Sequence, residues 1–271
     1  MQCGGARQVG PRSSCAAPVH FFKATSMSKI VFRVLDFFEA FAEQQRPLSL
    51  SELSRILGIP PSSCHGVLRA MEERGFLYEL KARAGFYPTA RLLELGRIIV
   101  EHDAGLARVE PKLAELRDSC DESVFLAKAS ALSIVYLAVL HAEKRLRLAL
   151  KPGDHVRSLY ASSAGKAVLS TLAPSDLAEF LSHTKLIALT PRTITSKSEL
   201  QRDLKLSVER GWFLNNEETV EDSLTVSSIF AMNGSTYVVT VAGSLKPMER
   251  KLERVTKALV ATVEDLAKLS P

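Results

Sequence analysis

Cysteine and tryptophan are scarce in this chain, with four of the former and one of the latter in 271 residues. Cys3, Cys15, Cys64 and Cys120 show no C-x-x-C spacing and no accompanying histidine pair, so neither a disulfide framework nor a zinc site is indicated, and a reducing cytoplasm is the expected compartment. The six histidines, His20, His65, His102, His141, His155 and His183, are scattered along the sequence, and no metal is assigned to them. No apolar run reaches the roughly 18 residues that cross a bilayer, so no membrane partner is expected. The first 26 residues also lack the continuous apolar stretch of a secretory signal. They are rich in Gly, Ser, Ala and Pro and read as a mobile arm over 1–26, with Met27 as an alternative translation start.

Excess charge is missing from most of the chain as well. Residues 1–100 hold 13 Lys plus Arg against 8 Asp plus Glu, whereas residues 101–271 hold 22 of each, so the net charge of +5 lies entirely in the first part. A basic surface gains binding free energy by releasing counterions from phosphate, which makes nucleic acid the natural partner of that part. With 46% hydrophobic residues the chain can bury a sizeable core, and its length suits two domains.

The basic part contains a recognisable pair of short helices in SLSELSRILGIPPSSCHGVLRAMEERGFL, residues 49–77. Ser49 and Glu52 have the spacing of a capping box, and Leu50, Leu53, Ile56 and Leu57 recur at helical intervals. Gly58 offers a left-handed stop, and Pro60 with Pro61 starts a second helix where a missing N–H costs little. That second helix turns Val67, Leu68 and Met71 inward and leaves Ser62, Ser63, His65 and Arg69 outside, the distribution of a helix that reads the major groove. Beyond Arg74 and Gly75, Phe76–Tyr78 and Phe86–Tyr87 flank Lys81, Ala82, Arg83, Ala84 and Gly85, a small hairpin wing with two cations at its tip. Ser62, Ser63, His65 and Arg69 are therefore expected to face bases or phosphates, and Arg74, Lys81 and Arg83 to grip the backbone or minor groove. Val31, Val34, Leu35 and Phe38 predict a first helix packed behind the pair.

Thr89 can cap a further helix through Leu92, Leu93, Leu95, Ile98 and Ile99, suited to connect domains and to offer a dimer surface; an internal packing helix is the alternative. A helix through Leu113 and Leu116 follows. Strands are predicted at 123–127, 133–140, 146–150, 224–230 and 236–241, the last two joined by the turn Asn233-Gly234. Helices are predicted at 163–172, 174–181, 198–210 and 248–269. Helices around an antiparallel sheet make an α+β domain able to hold a small molecule.

From about Met27 onward the chain resembles IclR-type transcriptional regulators. The resemblance rests on PPSSCHGVLRAMEERGFL, the wing ending in Gly85-Phe86-Tyr87, the following LLELG, LYASSAGKAVLS at 159–170, GWFLNNEE at 211–218 and, more weakly, TVAGS at 240–244. It implies a winged helix-turn-helix over 27–88, a linker helix over 89–107 and a GAF-like effector-binding domain over 108–271. It further implies homodimers or dimers of dimers on double-stranded operator DNA, for which two-fold symmetry predicts an inverted repeat. It maps an effector pocket onto Leu146, Ser163, Ala164, Asn215, Thr225, Thr240 and Ala242.

The sequence departs from the family pattern in places. Gly66 stands where an Arg usually follows the recognition-helix histidine, which removes a cation and weakens the helix by up to about 1 kcal/mol relative to Ala. Members that bind small oxo-acids commonly have Asp at Asn215, Cys at Thr225 and Ser at Thr240 and Ala242. An amide in place of a carboxylate both donates and accepts, and the hydroxyl lost at Ala242 disfavours a small carboxylate that depends on it. The expected effector is a carboxylate or an aromatic or polar catabolite, less acidic or larger than glyoxylate or pyruvate.

Two other readings compete with a ligand-modulated regulator. One is a constitutive DNA-binding protein whose second domain serves assembly alone, motivated by Asn215, Thr225 and Ala242. The other is a hydrolase, because Ser163-Ala164-Gly165-Lys166 satisfies S-x-x-K; the accompanying S-D-N and K-T-G motifs do not occur. Gly165-Lys166 is no phosphate loop either, since Tyr160 occupies the position of the required earlier Gly and Ala167 follows the Lys. No catalysis and no cofactor are expected, and the small residues fit close backbone approach at a helix start.

Overall fold

The computed structural model describes residues 28–80, 85–142 and 150–269, and the chain divides into two compact units, Met1–Ile99 and Val100–Pro271. The expected arm over 1–26, the wing-tip cations Lys81 and Arg83, and Leu146 with most of the strand expected at 146–150 lie outside the described residues.

The first unit is built from three helices, α1 (Ser28–Gln44), α2 (Leu50–Leu57) and α3 (Pro61–Glu73), and a two-stranded wing, β1 (Leu77–Leu80) with β2 (Gly85–Pro88). The capping box forms at the start of α2: Ser49 Oγ accepts from Glu52 N, and Glu52 Oε2 accepts from Ser49 N at 2.9 Å. Gly58 ends that helix in the left-handed conformation, with φ 62°, and Pro61 opens α3. Leu48 bonds in both directions with Phe86, through backbone contacts of 3.1 and 2.8 Å, and ties the helical pair to the wing. Gly85 makes this possible. Its φ is +102°, and a Cβ there would stand 2.6 Å from the Leu48 carbonyl, so only glycine fits. The core gathers Phe37, Phe41, Leu48, Leu53, Cys64, Leu68, Met71, Leu77 and Phe86.

The buried face of α1 differs from the expected one. Phe37, Ala40 and Phe41 are buried, with Val34 and Phe38 packed beside them, whereas Val31 and Leu35 are exposed. The large rings decide this: Phe38 meets Phe76 and Phe41 meets Tyr87 edge to face.

Helix α4 (Arg91–Glu101) begins after Thr89, whose Oγ1 accepts from Arg91 N at 3.2 Å. Instead of continuing to 107 it stops, and Asp103 caps α5 (Ala104–Cys120) by accepting from Gly105 N and Leu106 N at 3.0 and 2.9 Å.

Within the second unit, β3 (Ser123–Ser130), β4 (Ser133–Leu140), β5 (Phe213–Asn216), β6 (Ser223–Met232) and β7 (Ser235–Ser244) form one antiparallel sheet in the order β4-β3-β7-β6-β5. Between them lie α6 (Ser163–Leu169), α7 (Pro174–His183) and α8 (Lys197–Arg210), and α9 (Leu245–Ala267) closes the chain. Strand β5 was not predicted; at four residues it is too short to show a period. Asn233 and Gly234 both have positive φ, as the tight β6–β7 turn requires.

Alternation along the strands separates two cores. Val124, Leu126, Val226, Val239 and Val241 pack with α5 and α9, while Phe125, Ala127, Val238 and Ala242 pack with α6, α7 and α8.

Candidate functional site

On α3 the expected exposed and buried residues fall on opposite sides. Ser62, His65 and Arg69 recur three and four residues apart and are exposed, while Cys64, Leu68 and Met71 are buried. Ser63 stands off this stripe and is half-buried, as is Val67. Arg74 is exposed at the C-terminal cap of the helix. Gly66 faces open space, with nothing within 4 Å of where a Cβ would be, so its lack of a side chain serves no packing need.

In the second unit, four buried hydroxyls from three elements meet in a row. Ser163, at the start of α6, lies 2.7 Å from Thr225 and 2.7 Å from Ser227 on β6, and Ser227 lies 2.7 Å from Thr240 on β7. The strand register places Asn215 opposite Thr225 and Thr225 opposite Ala242, with Ser227 opposite Thr240 one pleat along. Asn215, Thr225, Thr240 and Ala242 thus share the sheet face that meets Ser163 of α6, each of the five at most 8% exposed, and Ala164 is buried in the same apolar cluster as Ala242. Ser227 completes the row and was missed by sequence reasoning. Its two-residue spacing from Thr225 on a strand is the signal that would have found it.

Asn215, on β5, is held by the segment that follows the strand. Its Oδ1 accepts from Glu218 N at 2.7 Å and its Nδ2 donates to Thr219 Oγ1 at 2.7 Å. Phe125, Tyr136 and Phe213 belong to the apolar cluster that contains Ala164 and Ala242. Burial pushes the Tyr136 phenol up to about 12.

Gly165 and Lys166 have structural partners. A Cβ at Gly165 would meet the Leu159 backbone at 2.3 Å, so the expected close backbone approach is between this helix and residue 159. Ser162 caps the helix by accepting from Gly165 N at 3.0 Å. The Lys166 ammonium, 1% exposed, reaches the Leu214 carbonyl at 3.0 Å, Glu218 Oε1 at 2.5 Å and Asp203 at 2.9 Å. Lys166 donates to the Leu214 carbonyl and to Glu218 and is ion-paired with Asp203, and Ser163 turns to hydroxyls instead, so the two do not pair as a nucleophile and its base. Burial raises the Glu218 carboxyl above its ordinary range against the pull of Lys166. Among the described residues no cluster of three metal-binding side chains occurs, and no helix is long and apolar enough to cross a membrane.

The family profile described as the C-terminal domain of the bacterial transcriptional regulator IclR matches residues 100–268, and the IclR helix-turn-helix domain matches residues 31–81. The chain belongs to the IclR family. This IclR-family chain is 25% identical over 238 residues to the HTH-type transcriptional regulator BhcR of Paracoccus denitrificans, covering 87% of this chain and 85% of the other. Its fold is similar to the crystal structure of Thermotoga maritima IclR, with a TM-score of 0.73 and 24% identity over 90% of this chain and 97% of that one. It is also similar to an IclR homolog from Microbacterium hydrocarbonoxydans complexed with 4-hydroxybenzoate, with a TM-score of 0.69 and 20% identity over 89% of this chain and all of the other. The α+β architecture expected from the sequence, a DNA-binding helix-turn-helix followed by a regulator-type second domain, is therefore the architecture of this IclR-family protein.

Proposed function

We propose that this protein is a transcriptional regulator whose operator binding is modulated by a small molecule held beneath α6. The observation that carries this reading is the row Thr225–Ser163–Ser227–Thr240. Three mutual bonds consume three of its four hydroxyl protons, which leaves one proton and several lone pairs for a ligand. Ser227 and Thr225 offset the hydroxyl absent at Ala242. The aromatic residues Phe125, Tyr136 and Phe213 in the adjoining apolar cluster favour a ring-bearing carboxylate or hydroxy compound over a two- or three-carbon oxo-acid, in keeping with the 4-hydroxybenzoate of the Microbacterium homolog. Leu146 and Asn215 complete the proposed pocket.

In the DNA-binding unit, Ser62, Ser63, His65 and Arg69 contact bases or phosphates, and Arg74, Lys81 and Arg83 grip the backbone or minor groove. The protein acts in the cytoplasm as a homodimer or dimer of dimers on an inverted repeat, and it is not an enzyme. Helix α4 supplies a surface for self-association, since every residue from 91 to 100 is exposed, including Leu93 at 76% and Ile99 at 70%. The effector shifts the equilibrium between two arrangements of the paired DNA-binding units only through its different affinity for them.

The test is a thermal-shift screen of hydroxybenzoates, other aromatic acids and short oxo-acids, followed by DNA binding with any hit. A true effector at 100 times its Kd adds about 2.7 kcal/mol, alters DNA affinity, and loses both effects in Ser163→Ala. A domain that no compound stabilises, with DNA binding intact throughout, is the constitutive assembly domain instead.

A further inference from the structure

Arg69 does not stand free on the exposed stripe of α3. Its Nη1 lies 2.7 Å from Glu72 Oε2, less than one turn further along the helix, and 3.5 Å from Glu79 Oε2 on the wing strand β1. Its Nε faces His65 Nε2 at a longer 3.5 Å. The Arg69 and Glu79 side chains are 53% and 42% exposed, and pairs so exposed add little to stability. The cluster is better explained by what it does to the guanidinium. Two carboxylates on one nitrogen leave the group with a local charge of −1, which suits a phosphate contact poorly. The Glu72 hydrogen bond and the longer Glu79 ion pair both hold Nη1, which turns the opposite edge, Nη2 and Nε with their two parallel donors, towards the His65 side of the helix. Such a pair of donors matches O6 and N7 of guanine.

We propose that Glu72 and Glu79 are positioning residues that hold Arg69 for guanine readout in the major groove and keep it off phosphate. The weak His65 contact gives way when the base edge arrives. The wing strand thereby contributes to base specificity through an acid on β1, separately from any phosphate contact at its tip. This inference rests on the proposed assignment of α3 as the DNA-reading helix.

The experiment is selection from a randomised duplex library with full-length wild type, Arg69→Ala, Glu79→Gln, Glu72→Gln and the double variant Arg69→Ala/Glu79→Gln, with salt slopes measured on the winning duplex. Wild type should require a guanine at one position of each half-site, and Arg69→Ala should abolish that requirement without lowering the salt slope. Glu79→Gln, and likewise Glu72→Gln, should weaken the same preference about fivefold while random duplex binds as well as before or better. In the Arg69→Ala background Glu79→Gln should change the base preference no further. If Glu79→Gln strengthens all duplexes equally in both backgrounds, the acid merely repels DNA and the inference fails, with the reading helix still standing. If Arg69→Ala alters no base preference at all, the assignment of Arg69 as a reader fails together with the inference.

Discussion

At Glu52, one side chain carries a turn's worth of backbone order. Hydrogen bonds from the Ser49 backbone and side chain, with Arg46 beside it, lower its carboxyl from an ordinary 4.5 to about 2. Because the folded value is depressed, its contribution is fully present above about pH 4.5 and fades as pH falls towards 2. Acid titration of wild type and Glu52→Gln should therefore show stability curves that converge below that window; parallel curves would contradict the capping role. Gly66 offers the opposite kind of test, since no neighbour occupies the space of its missing side chain. Gly66→Ala should stabilise the DNA-binding unit by up to about 1 kcal/mol in urea unfolding. Gly66→Arg should also steepen the salt dependence of DNA binding by about one ion if the new cation reaches phosphate. Lys166 belongs with the buried ions. Lys166→Met leaves Glu218 and Asp203 facing each other without their cation and should cost about 3 to 5 kcal/mol, read as a lowered midpoint of denaturation. A midpoint unchanged from wild type would show that the pair is dispensable.

Elements were legible where a local rule suffices to define them. The capping box, the left-handed Gly58 and the proline start of α3 are all interactions within a few residues, so the helix-turn-helix could be read directly. The Asn233-Gly234 hairpin turn was readable for the same reason. The face of α1 was not, because Val31, Val34, Leu35, Phe37, Phe38 and Phe41 offer more than one apolar stripe; the rings of Phe76 and Tyr87, distant in sequence, select among them. Strand β5 escaped notice because its pairing with β6, rather than its own four residues, makes it a strand. The break between α4 and α5 depends on Asp103 turning to cap the second helix, a choice that an apolar periodicity running past it conceals. Helix α4 also carries a prediction of its own. Leu93→Ser with Ile99→Ser should shift sedimentation towards the monomer and weaken operator binding, while leaving the far-UV circular dichroism of each chain unchanged because neither side chain is buried within it. Unchanged oligomers would remove α4 from the association surface.

For the whole molecule, the uneven charge makes a prediction that no single residue carries. Binding to DNA should fall steeply with salt, and the salt dependence should reside in the first unit, since residues 101–271 hold equal numbers of acids and bases. The family membership and α+β architecture could be read from linear motifs and periodicity. So could the stripe of Ser62, His65 and Arg69, because helical geometry alone places those positions together. The family resemblance grouped Ser163, Thr225 and Thr240, but only the tertiary structure added Ser227 and showed the hydroxyl contacts that link them, brought Glu218 and Asp203 to Lys166, and set Glu79 of the wing against Arg69. These contacts link positions up to 64 residues apart, and no local rule of chain geometry fixes such distances; strand register and helix docking do. The sequence determined which side chains were available and how each element would form, and long-range packing decided which of them meet.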